Sequence, residues 1–395
     1  MEEIQKSIDQ IKEIQKNLLS YIEDEAGGES NFETFKEILE NSKFCENKYK
    51  FQHLLYSISK ILINHRHEPH YYDKIEQILN LLKDGIKKNF RNYDIFDIFE
   101  SDKLILLCLK NNRIFRFDSN ISDIFTDHSL YKSKDYDEYF VPEIKNIKSK
   151  PFIPNLLYNS KVKKLPEDFD EKRKIGENDD LICQIIRKDS IDDFISYIEK
   201  NNIPLESNIK SSIYESNNYL IHRYCDLIRY SAFYGSIQIF NYLKLKGVNL
   251  EPDLWNFAIY SHNPEIIHIL EENNVQPNKS YKVLLEKAIE CFSNDIAYYI
   301  LNTHLADSDV NKIAIGPAIL SDNYEFIKVE EIDGNLIPQL FNSNHYQIIE
   351  YLFKENKVNG DFSKELYESV RSNNIDYVKL FLTSDQINVN IRYKI

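Results

Sequence analysis

The sequence predicts an all-α protein in which a solenoid of helix pairs follows an α-helical amino-terminal domain. Three observations carry that prediction. Glycine (9) and proline (11) are scarce in 395 residues, so helix breakers are few. Apolar residues recur at spacings of three and four, the period of a helix face. One pattern of small, large and acidic residues returns about seven times between residues 177 and 395, as stacked helix pairs require. The expected partition is a helical domain over 1–150, a connector over 151–176 and the array over 177–395.

Taken in order, Ile4, Ile8, Ile11, Ile14, Leu18 and Ile22 line one face of a helix that Gly27-Gly28 should end. That face is expected to pack on its own domain, with a self-pairing coiled coil as the alternative. A second helix from Ser30 or Asn31 turns Phe32, Phe35, Ile38 and Leu39 inward. A third carries Phe51, Leu54, Leu55, Ile58, Ile61 and Leu62, and a fourth follows Pro69 with Ile75, Ile78, Leu79, Leu82 and Ile86. Between these lies His65-Arg66-His67-Glu68-Pro69-His70, the one dense histidine cluster. Helical histidine ligands favour i,i+4 spacing with a third ligand elsewhere, so the cluster reads as a solvated turn. Residues 95–117 resemble the later helix pairs in degenerate form. Asp135–Asp170, with Pro142, Pro151, Pro154 and Pro166, has little periodicity, and Lys161, Lys163 and Lys164 within it read as solvated linker.

The array aligns on a small residue near the end of each first helix: Ile185, Ser231, Ala258, Ala288, Ala318, Leu340 and Ser369, with Ile185 and Leu340 as exceptions to smallness. These positions define seven rungs. Three residues earlier stands a large apolar side chain (Ile182, Ile228, Trp255, Leu285, Ile315, Ile337, Leu366). Seven residues later comes an acid or amide, from Asp192 and Gln238 to Asp376, placed to meet the positive end of the second helix. Twelve residues later stand Tyr197, Leu243, Leu270, Ile300, Glu330, Leu352 and Phe381. The small residue lets neighbouring helices approach, and the large ones fill the layer between rungs. Rung one has Asp193 where the others have an apolar residue, as if its second helix were shifted by one. In rung five a buried Glu330 would cost several kcal/mol, so that rung should be bent or truncated with Glu330 exposed. Asn201–Arg223 is an insertion between rungs one and two. Trp255 falls in a core column, and His262 stands at the turn where the preceding rung has Gly235.

With its small residue followed by SHNPEII, SNDIA, SDNYEFI, SNHYQII or SNNIDYV, the array resembles degenerate ankyrin repeats. RKIGENDDLICQIIRKDSIDDFISYI, SAFYGSIQIFNYL and NPEIIHILEENNV carry a closer likeness. It is to ankyrin-repeat proteins with an uncharacterised helical amino-terminal region, of the kind multiplied in some parasitic protists. The resemblance covers about residues 95–395, and more loosely the start. It implies stacked helix pairs, protein binding on a concave face and no catalytic activity. The Thr-Pro-Leu-His turn of the family is absent from every rung, so long hairpin fingers are not expected. Asp385–Asn390 looks like the loop that introduces a further repeat, which predicts partial exposure of Val378, Phe381 or Leu382.

Composition narrows the function. The net charge of −14 and pI near 5.3 disfavour nucleic acid and anionic membrane as partners. Five scattered cysteines without a CxxC read as reduced core thiols of an intracellular, cytoplasmic protein. No apolar run reaches the roughly 20 residues of a membrane span. Phosphate-binding glycine loops, HExxH, GxSxG and cysteine-nucleophile signatures are missing, so no catalytic residue, cofactor or metal is expected. The expected function is a non-catalytic scaffold, monomeric or dimerised through its first helix, for a protein partner bearing a basic patch. Its expected contact residues are Asn249, Glu251, Asp253, Asn274, Gln276 and Asn278 at the loop tips. The alternative is an effector or enzyme with a divergent catalytic domain in 1–150, recruited to substrates by the array.

Overall fold

A computed structural model describes residues 2–24, 29–65, 71–126, 136, 138–145, 147, 165–221, 224–306, 310–358 and 360–383. The described chain is all-helical. Among those residues the only β pairing is an isolated bridge between Asn208 and Asp226. The expected stop at Gly27-Gly28, residues 66–70 of the histidine cluster, the three linker lysines and the 385–390 loop lie outside the described residues.

Proximity divides the chain into two compact units, one of Met1–Leu18, Glu37–Ile58 and Tyr281–Ile395, the other of Leu19–Lys36 and Ser59–Ser280. The partition expected at 150 and 176 follows changes of sequence pattern. The compact units instead each combine amino-terminal segments with rungs of the array, three in the second unit and four in the first.

The amino-terminal helices are α1 (Glu2–Ile22), α2 (Glu29–Ser42), α3 (Lys48–Asn64) and α4 (Tyr71–Asn89). Ile8, Ile11, Ile14, Leu18 and Ile22 of α1 are all buried within the chain. In the second unit α4 packs on the Lys103–Asn111 helix, whose amino end is capped by Asp102 accepting from the amides of Leu104 and Ile105. The Phe169–Ile175 helix stops at Gly176 (φ 71°), where a Cβ would lie 2.6 Å from Leu104 Cδ2. Glycine is required there both by its backbone and by the close approach.

The ladder columns are core. All seven residues of the column three before the rung position are buried, from Trp255 and Leu285 at 0% exposure to Leu366 at 8%. Burying side chains of this size stabilises by about 1.5–3 kcal/mol each. Within the second unit the first helices of rungs one, two and three pack in succession, as do those of rungs four, five and six in the first unit. Trp255 also donates from Nε1 to the Val275 carbonyl at 2.8 Å. At the end of the described chain Phe381 is fully buried, Val378 is half-buried and Leu382 is 55% exposed.

Candidate functional site

Two kinds of turn build the edges of the rungs. Four residues after each rung position the backbone enters the left-handed region: Asp189, Gly235, His262, Phe292, Asp322, Asn344 and Asn373, with φ between 48° and 66°. At all seven that residue's amide bonds back to the carbonyl one after the rung position, as Gly235 does to Ala232 and Asp322 to Ile319. The next amide reaches the rung carbonyl itself in six, for example Ser236 to Ser231 and Asn323 to Ala318. This is a Schellman closure, which satisfies the last carbonyls of the first helix. It explains Gly, Asn, Asp and His there, since these types tolerate positive φ best. Arg113 (φ 57°) closes the Lys103–Asn111 helix in the same way, so the 95–117 segment shares the turn.

The residue after the turn links rungs. Ser236 Oγ donates to the Ile186 carbonyl at 2.6 Å, Asn323 Nδ2 to Ile289 at 2.9 Å, and His345 Nε2 faces Ile319 at 3.3 Å. In each case the acceptor is the same position of the preceding rung. Asp189 reaches across to cap the next second helix, accepting from the amides of Gln238 and Ile239. The sequence reading missed this polar column, although its letters stand in SHN, SND, SDN, SNH and SNN.

At the other end of the helix pairs lie the residues expected to meet a partner. Asn249, Glu251, Asn274, Gln276 and Asn278 are exposed. Asp253 is not: Arg229 holds its carboxylate bidentately, Nε to Oδ2 at 3.0 Å and Nη2 to Oδ1 at 2.9 Å. It positions the loop. A second left-handed residue fixes these loop starts, at Asn202, Gly247, Asn274 and Asn356. In rung one it falls one residue later than in the others, matching the shifted second helix.

In the second unit, α3 meets a rung turn through histidines. His65 is buried, with Nδ1 2.9 Å from Glu23 Oε1, and its ring stacks on that of His262 with centroids 3.8 Å apart. His262 Nε2 faces the Asn64 carbonyl at 3.0 Å. His65 therefore departs from the solvated turn expected for the cluster, because the end of α3 is packed against the turn of rung three. Burial pushes the Glu23 carboxyl up, against a downward pull from His262.

In the first unit α1 and α3 do the same at rungs five and six. Gln15 donates from Nε2 to the Asp322 carbonyl at 2.6 Å and accepts from the Tyr324 amide at 3.0 Å. His53 of α3 places Nδ1 2.9 Å from Asp322 Oδ1 and Nε2 3.1 Å from the Asn344 carbonyl. His345 Nε2 lies 3.3 Å from the same Asp322 oxygen, and the His53 and His345 rings stack with centroids 4.0 Å apart. Beside them opens a cleft of about 270 Å³, walled by the start of α1, by Tyr49 and Lys50, and by the Tyr346–Lys354 helix. Burial, then the hydrogen bond to Asp376, pushes the Tyr49 hydroxyl up to about 12. No sequence signal joined His53 to residues 269 and 292 positions away. Rung five itself lacks a second helix: 3₁₀ turns at Tyr324–Phe326, Val329–Glu331 and Gly334–Leu336 replace it, and Glu330 is exposed.

Compared with protein-family models, curated proteins and solved structures, the chain matches none of them. No helix of the described residues is long and apolar enough to cross a membrane.

Proposed function

We propose that the chain is a non-catalytic interaction scaffold, in which ankyrin-like helix pairs form a solenoid and present loop tips to a protein partner. The observation that carries the reading is the contrast between the two edges of the rungs. The turns of rungs three, five and six are occupied by contacts with α1, α3 or the residue after α3, whereas the loop side chains Asn249, Glu251, Asn274, Gln276 and Asn278 are exposed on backbone held by left-handed stops and the Arg229–Asp253 pair. A polar rim on a rigid frame loses little conformational entropy when it binds. The net charge of −14 favours a partner with a basic patch, and the association rate should fall with salt. Burial of the α1 face within the chain favours a monomer over a dimer paired through that helix.

The test compares the wild-type chain with a variant carrying Glu251→Lys, Gln276→Ala and Asn278→Ala, both as bait at low and high salt. A discrete partner bound by the wild type, weakened by salt and lost by the variant supports the reading. A partner retained equally by the variant refutes this surface.

A further inference from the structure

His53, Asp322 and His345 form a cluster that the hydrogen-bonded scaffold alone does not account for. Their side chains are 8%, 5% and 2% exposed, and one donor atom from each lies within 4.8 Å of the other two. The three come from three elements: α3, the left-handed turn of rung five, and the position after the turn of rung six. His345 stands at the position that, in rungs two and five, reaches the turn of the preceding rung, and here it faces Asp322.

We propose that this cluster binds one divalent transition-metal ion of the zinc class. Two imidazoles and a carboxylate are the donor set such ions prefer, whereas calcium and magnesium take oxygen ligands. A tetrahedral ion with bonds near 2.0–2.1 Å needs its ligand atoms roughly 3.3 Å apart. The His53 Nδ1 to Asp322 Oδ1 distance is 2.9 Å and the His345 Nε2 to Asp322 Oδ1 distance is 3.3 Å.

The hydrogen bonding of His53 points the same way. Both its ring nitrogens face oxygen atoms, Asp322 Oδ1 on one side and the Asn344 carbonyl on the other. A neutral imidazole has one proton, so one nitrogen would direct a lone pair at an acceptor. With the ion on Nδ1, the proton sits on Nε2 and is donated to the Asn344 carbonyl, the outer-shell bond that ligating histidines make.

The geometry also states what must change. A ligated ion lies in the plane of each imidazole, but the two rings are stacked, 6° from parallel. Binding must therefore splay them and release His345 Nε2 from the Ile319 carbonyl it faces at 3.3 Å. The adjacent cleft, lined by both histidines and Tyr324, gives room for that movement. Three protein ligands with one open position also allow an exogenous donor to complete the site. The ion would pin α3 to two successive turns of the first unit.

The test uses the full chain, stripped with a chelator, and titrates Zn²⁺ alone by calorimetry. The wild type is expected to take up one equivalent. Asp322→Asn and His345→Gln should each weaken binding by more than the roughly 10–100-fold that loss of an outer-shell partner costs, while His67→Ala with His70→Ala leaves it unchanged. Circular dichroism checks that the variants fold. If they do not, the wild type decides: Co²⁺ should give the intense absorption of a tetrahedral site, and Zn²⁺ should shift the ring resonances of two of the ten histidines. Unaltered affinity in folded Asp322→Asn, loss of binding on changing His67 and His70, or a wild-type chain that shows neither signature would overturn the proposal.

Discussion

Rungs three and five start alike and end differently. Each has a first helix, a left-handed turn residue (His262, Asp322) and an asparagine after it (Asn263, Asn323) that accepts from the amide two residues on. Rung three then runs a full second helix, Pro264–Glu272, with Pro264 at its first turn and Ile266, Ile267 and Leu270 buried. Rung five runs three 3₁₀ turns instead. At the position where rung three buries Leu270, rung five has Glu330, and a helix there would turn this carboxylate into the core. The chain avoids that cost by giving up the helix. The same rung contributes Asp322 to the His53–His345 cluster, so the departure from the pattern and the candidate site fall together.

The largest test of this contrast is in rung three. Leu270→Ala should destabilise by about 2–5 kcal/mol, and Trp255→Ala by about 3–5 kcal/mol, since each leaves a cavity in a fully buried layer. Chemical denaturation of the purified variants measures both. Next in size, Asp322→Ala should cost about 2–4 kcal/mol, because it strips His53 and His345 of a shared buried acceptor and leaves alanine at positive φ. A cost under about 0.5 kcal/mol would mean the cluster contributes nothing to stability.

Gly235→Ala probes the turn common to all rungs. A Cβ there would meet Asn263 Cβ and Ser261 Cβ at 3.5 Å, ordinary contact, so the expected loss of about 1–2 kcal/mol comes from backbone conformation alone. Alkaline pH tests the packing of the second unit. Burial pushes the Cys108 and Cys183 thiols from an ordinary 9.0 up to about 12. Between pH 9 and 12 the folded chain holds protons that the unfolded chain releases, so stability should fall as pH rises through that window. A melting midpoint that stays flat from pH 8 to 10.5 would contradict the burial of these thiols. The smallest effect belongs to Glu330→Ala, expected within about 0.5 kcal/mol of wild type, against the large loss at the equivalent Leu270.

Much of this was legible in the sequence because burial leaves a periodic trace. The columns of Trp255, Leu270 and the small residues could be aligned by eye, and Glu330 in an apolar column was enough to predict a truncated rung. The turn chemistry was partly legible: Gly235 and His262 stood out, but Asp189, Phe292 and Asn373 share no side-chain property, only a backbone angle. The cluster was not legible. His53 lies within an apolar helix pattern, and its partners are fixed by how α3 packs against the turns of rungs five and six, which no local spacing encodes. For the same reason the cluster that begins at His65 read as a solvated turn from its spacing, whereas His65 is buried against His262.

Hydrogen exchange on the full chain, with and without one equivalent of Zn²⁺, tests the central contrast most directly. The second helix of rung three should exchange slowly and ignore the ion. Residues 322–331 should exchange faster without it and gain protection with it, together with α3 around His53. Equal protection of the two rungs without metal, and no change around Asp322 with it, would contradict the account.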